Sequence, residues 1–130
     1  MLRACVLGAV IFALCISAPA QRRKKPPDLA VIETKVERSE GRIMADGRVR
    51  NTGEKPISAL TVVFDFLSPE GEVVNSLKAA IDEDVLLPGQ EGGFRAETKE
   101  FPRAVRYRIR AFDEHERELR AVNTGPFAIE

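Results

Sequence analysis

The chain has 130 residues, with 20 basic and 20 acidic side chains, one His, two Cys and no Trp. That length allows one domain. The even charge gives no global argument for nucleic acid or a membrane surface as partner, and Tyr107 as the only Tyr leaves little from which to build a sugar-stacking platform.

Residues 1–20, MLRACVLGAVIFALCISAPA, carry Arg3, an uncharged apolar run from Ala4 to Ile16, and then Ala18-Pro19-Ala20. A positive start, a short apolar stretch and small residues at the end make the secretory pattern, so cleavage is expected between Ala20 and Gln21. The alternative is an uncleaved anchor. Spanning takes about 20 apolar residues, a length reached here only by counting Ser17, Pro19 and the flanks. The basic run just past the site, Arg22-Arg23-Lys24-Lys25, works against export. Cys5 and Cys15 both lie in this segment. Leu14 before Cys15, and the early place of Cys5, argue against lipidation. After cleavage no disulfide can staple the chain. A domain of roughly 110 residues buries about two-thirds of its unfolded surface, enough for a core of its own.

Residues 21–28 read as a basic, Pro-containing linker, with Pro26-Pro27 favouring an extended backbone. Its bases are either a polybasic tag for anionic lipid or cell-wall polymer or a solvated lead into the fold. The domain itself spans 29–130. Leu29 to Arg38 is the first predicted strand, with Ala30, Ile32, Thr34 and Val36 on one face and Glu33, Lys35 and Glu37 on the other. Ser39-Glu40-Gly41 turns it. Arg42 to Asn51 is the second, with Ile43, Ala45, Gly47 and Val49 inward; Gly47 in mid-strand implies a bulge or a close approach from the facing sheet.

Asn51-Thr52-Gly53 supplies residues tolerant of positive φ for the next turn, and Pro56 closes it. Ala59 to Leu67 is the central strand, rich in β-branched and aromatic residues. Leu60, Val62, Phe64 and Phe66 share one face. Val63 and Leu67 are apolar on the other, which implies loops over the outer face. Pro69-Glu70-Gly71 ends it in a β-turn. Glu72 to Ile81 makes the following strand. Asp82-Glu83-Asp84 is an acidic patch, but calcium needs about six or more oxygens in set geometry and no such loop follows. Leu86-Leu87-Pro88-Gly89 reads as a buried plug and turn, and Gly92 to Lys99 as a short strand anchored by Phe94. Arg103 to Asp113 alternates Val105, Tyr107, Ile109 and Ala111 with Arg106, Arg108 and Arg110. A polar hairpin from Glu114 to Arg117 leads into a return over Glu118 to Ile129. Strand and turn units recurring about every 8–15 residues predict an all-β, immunoglobulin-like antiparallel sandwich of about seven strands.

Gly47-Arg48-Val49-Arg50-Asn51, then Lys55-Pro56, an aromatic strand, Pro69-Glu70-Gly71, Leu87-Pro88-Gly89 and Phe94 together resemble the FxLYD domain family, over about Leu29 to Asp113. The resemblance implies a small extracytoplasmic, immunoglobulin-like sandwich, often behind a signal peptide or lipoprotein anchor, with no enzymatic activity or catalytic residue to carry over. The naming motif departs: Phe64-Asp65-Phe66-Leu67-Ser68 stands in its place, with Phe64 matching and Phe66 an apolar substitute.

Catalytic groupings are thin. His115 sits among Glu114, Glu116 and Arg117, and without a second His or Cys after cleavage it reads as a solvated turn residue. A nucleophilic triad lacks its parts. Glu114 and Glu116 are the acid pair open to glycoside hydrolysis, with no Trp to line a sugar cleft. The arginine row is the one chemical irregularity. Arg106, Arg108 and Arg110 project from one strand face about 7 Å apart, and like charges repel unless carboxylates adjoin. Asp65, Glu116 and Glu118 are the candidate neutralisers. The row is therefore either a salt-bridged surface or a binding strip for an anion or a partner.

The expectation is an exported, non-catalytic interaction or structural module of the bacterial cell envelope, periplasmic or secreted, without cofactor, metal, nucleic acid or a membrane span after cleavage. Its partner is an envelope protein. The alternative is a module for polyanions or cell-surface polymers using Arg22, Arg23, Lys24 and Lys25 with the arginine row.

Overall fold

The computed structural model describes residues 26–130. The expected cleavage residues Ala18, Ala20 and Gln21, both cysteines, and Arg22 to Lys25 lie outside the described residues. No helix within them is long and apolar enough to cross a membrane.

The chain forms β1 (Leu29–Ser39), β2 (Arg42–Asn51), β3 (Ile57–Ser58), β4 (Thr61–Leu67), β5 (Val73–Ala80), β6 (Val85–Leu86), β7 (Glu91–Lys99), β8 (Arg106–Phe112), β9 (Ala121–Val122) and β10 (Phe127–Ala128). One sheet runs β7-β2-β1-β9, the other β10-β8-β4-β5, and β3 pairs with β6 in a small ribbon. The two four-stranded sheets enclose one apolar cluster, so the fold is an all-β, immunoglobulin-like sandwich.

At its centre Phe64 is fully buried, its ring 5.6 Å from Phe94 of the opposite sheet and 5.9 Å from Tyr107 of its own. Tilted rings at that separation add to the area each removes from water. Ile43, Ala45 and Val49 are inward as their alternation requires. The β1–β2 hairpin turns at Glu40 and Gly41, both with positive φ, the geometry that follows the twist of the flanking strands.

Several local expectations are corrected. The register of β1 against β2 shifts between Val31 and Glu33, leaving Ile32 as a bulge residue. Leu29 and Val31 therefore point inward ahead of the bulge and Val36 beyond it, while Ile32 is 44% exposed. A simple two-residue period puts Ala30 and Ile32 on the wrong face, because one inserted residue inverts the parity. Gly47 does meet a close approach, though not from the facing sheet. A Cβ there would lie 2.4 Å from the Glu33 carbonyl and 2.6 Å from Phe94, its cross-strand neighbour in the same sheet.

Neither Asn51 nor Gly53 takes positive φ. The Asn51 amide is instead a buried clamp: Nδ2 donates to Lys55 O and Leu86 O, and Oδ1 accepts from Gly53 N. β4 begins at Thr61 rather than Ala59, since Ala59 turns through φ 48° where the chain leaves the small ribbon. Leu87, expected in a plug, is 53% exposed; Leu86 alone is buried. Val105, expected inward, is 36% exposed and precedes the first residue of β8.

The C-terminal return is not one antiparallel strand. β9 pairs parallel to β1 and β10 pairs antiparallel to β8. Glu130 N then donates to Val36 O and Arg38 N to Glu130 O, both at 2.9 Å. The last segment thus bridges the two sheets along one side of the sandwich, satisfying edge groups of β1 and β8.

Candidate functional site

The outer face of the β10-β8-β4-β5 sheet carries the arginine row. β8 alternates as predicted, with Tyr107, Ile109 and Ala111 buried and Arg106, Arg108 and Arg110 outward. The register sets Arg106 beside Leu67, Arg108 beside Asp65 and Arg110 beside Val63. On the far side of β4, Val73, Ser76 and Lys78 stand opposite the same three residues. Val63 and Leu67 are buried yet stand outside the core cluster. Their neighbours on the flanking strands are Arg110 and Lys78 beside Val63, and Arg106 and Val73 beside Leu67; arginine and lysine stems can lie along apolar surface with their charged ends in water.

Asp65 is the neutralising carboxylate. It is 1% exposed, between β8 and β5. Arg110 Nε and Nη2 donate to its two oxygens at 2.7 and 3.0 Å, Ser76 Oγ donates at 2.8 Å and Arg108 Nε at 3.4 Å. Burial by itself pushes the Asp65 carboxyl up. The hydrogen bonds from Arg110 and Ser76 and the charge of Arg110 more than offset it and hold the group below the usual aspartate value. The same bonds raise Arg110, whose guanidinium also lies 5.4 Å from the Phe112 ring. Arg106 donates to Pro69 O at 3.3 Å. Of the other two expected neutralisers, Glu118 acts on Arg110 only through its charge, and no ion pair joins Glu116 to the row among the described residues. Sequence reasoning placed the row but missed Lys78, Ser76 and the exposed Val73, which lie on another strand and join the face only through the β4–β5 register.

A second feature is an open cleft of about 610 Å3 at one end of the sandwich, lined among others by Asp28, Asn51, Lys55, Asp113, His115 and Glu118. His115 Nε2 lies 3.2 Å from Glu114 Oε1 on its rim. Asp113 closes the hairpin beneath: its Oδ1 accepts from Arg117 N at 3.0 Å and His115 N at 2.9 Å, and those bonds hold its carboxyl below the usual range. No grouping of three or more His, Cys, Asp or Glu is placed to hold a metal among the described residues. Asp82 and Glu83 instead flank Gly93 and Gly92 of β7.

No family model matches the chain, and no curated protein does. Solved structures do. The chain is similar to β-glucuronidase 2 of Bacteroides uniformis, at 14% identity and TM-score 0.52, over 72% of this chain and 14% of that one. It is also similar to IrmA of Escherichia coli, at 13% identity and TM-score 0.47, over 78% of this chain and 95% of that one. The first likeness spans about one-seventh of the enzyme's length and concerns the fold alone: a β-sandwich domain.

Proposed function

We propose that this protein is an exported, non-catalytic interaction module of the bacterial cell envelope, whose working surface is the outer face of the β10-β8-β4-β5 sheet and whose partner is a protein. One observation carries the reading. Four cations, Arg106, Arg108, Arg110 and Lys78, share a sheet face on which the buried Asp65 is the one ion-paired carboxylate among the described residues, with Glu118 acting on Arg110 only through its charge. A face that only needed solvation would alternate charges, and arginine is enriched at protein interfaces relative to the rest of the surface, with Glu and Asp depleted. The secretory pattern of residues 1–20 and the FxLYD resemblance support the envelope. A polyanion partner is the second reading, favoured by the same excess of positive charge and by Arg22 to Lys25.

The test is charge reversal, Arg106→Glu with Arg108→Glu, in a pull-down from envelope extract. Both side chains are outward, so the domain stays folded; it melts lower because Arg108→Glu removes a contact to Asp65 and sets a like charge beside it. The expected result is loss of a captured protein. Unchanged capture would leave the row as a salt-bridged surface and end the proposal. Collapse of the fold would overturn the outward placement itself. The second reading predicts a captured polymer whose binding falls steeply with ionic strength.

A further inference from the structure

We propose that the occupant of this face is an extended acidic protein segment with an apolar residue beside its acids, and that Arg106 and Arg108 are the residues that bind it. This rests on the reading above and names the chemistry of the partner.

The three arginines are not equivalent. Arg110 is committed: two donors lie on Asp65 and its guanidinium lies over the Phe112 ring, 5.4 Å from the centroid. Arg108 touches Asp65 through Nε alone, at 3.4 Å, so both its terminal nitrogens are without a partner among the described residues. Among the described residues Arg106 has only the 3.3 Å contact from Nη2 to Pro69 O. A guanidinium offers five N–H donors in a planar fork, and these two keep most of theirs. Asp65 thus stiffens one end of the row and leaves the other free to take carboxylates bidentately.

The free end is also where the face becomes apolar. Val73 is 48% exposed and stands across Leu67 from Arg106. A bare polyanion has no use for this valine, whereas a protein segment buries it. Arg106 and Arg108 are two residues apart on one strand, about 7 Å, which is also the interval between alternate side chains of an extended peptide. Acids at alternate positions therefore meet both guanidinia in register. An apolar side chain beside those acids, leaning across Leu67 as Arg106 itself does towards Pro69, meets Val73. Charge complementarity selects the acids, and Val73 selects a protein.

Fluorescence anisotropy of the purified exported protein with two probes tests this. One is a labelled peptide with Leu, Glu and Glu at alternate positions separated by Thr; the other is inorganic polyphosphate. The peptide is expected to bind, and Arg106→Gln with Arg108→Gln to weaken it by about tenfold or more, as expected when hydrogen bonds to charged groups are lost. Val73→Ser is expected to weaken the peptide several-fold and to leave polyphosphate unchanged. Circular dichroism confirms that each variant is folded. The inference is overturned if the peptide does not bind, or if polyphosphate binds as tightly and Val73→Ser affects neither probe. If it fails while charge reversal still removes an envelope protein from the pull-down, the interaction module stands and only its partner's chemistry is wrong.

Discussion

Asp65 shows how one residue can set the character of a surface. Its carboxylate holds Arg110 and Ser76 within 3.0 Å while being almost wholly buried. Asp65→Asn keeps the shape and removes the charge that these donors address. The expected cost is about 1.5–3 kcal/mol at neutral pH, the range for hydrogen bonds to charged groups, read by urea unfolding. The pH dependence has a definite sign. A carboxyl depressed in the folded state contributes stability that is complete above its unfolded value and lost as pH falls through the folded one. The gap between the natural protein and Asp65→Asn should therefore be constant near neutrality and close below about pH 4. A gap that persists in acid would mean that packing, not charge, is what Asp65 supplies. Phe64 acts at the same scale in the core. Fully buried between Phe94 and Tyr107, it should cost about 3–5 kcal/mol on truncation to Ala, and a urea shift under about 1 kcal/mol would contradict the packing described.

At the scale of the element, β1 is decided by its bulge. Period-two reading puts Ile32 in the core and Val31 in water; the bulge reverses both. Val31→Ala is expected to destabilise by about 1.5–3 kcal/mol, the range for a fully buried aliphatic side chain, and Ile32→Ser to stay within about 0.5 kcal/mol, as for exposed positions. Paired denaturation curves check this, and the opposite order would place the bulge elsewhere. The bulge also carries Glu33 O towards Gly47, where Phe94 lies across the adjacent strand. Glycine is needed at position 47 because a side chain there would strike backbone. The inserted residue, the glycine and the overlying ring are thus one device, spread over β1, β2 and β7.

For the molecule as a whole, export is the first expectation to check: intact mass of the exported protein should begin at Gln21, and a mass retaining Met1 to Ala20 would count against cleavage. The sandwich was legible because its evidence is local. Alternation in β2 and β8, the turn residues Gly41 and Gly71, and the aromatic run of β4 are set by the conformational preferences of neighbouring residues and by which side chains water excludes. The outward direction of Arg106, Arg108 and Arg110 follows from the same period, since the buried Tyr107, Ile109 and Ala111 leave them no other side. What the tertiary structure alone decided depends on partners far apart in the chain. Asp65 became the neutraliser, and Glu116 did not, because the register of β4 against β8 sets residues 65 and 108 side by side. The C-terminal return divided between two sheets because β1 and β8 both offered it an open edge. The parity of β1 turned on one inserted residue whose effect appears only against β2. Sequence period determines which way a strand's side chains alternate; only the pairing of distant strands determines what they meet.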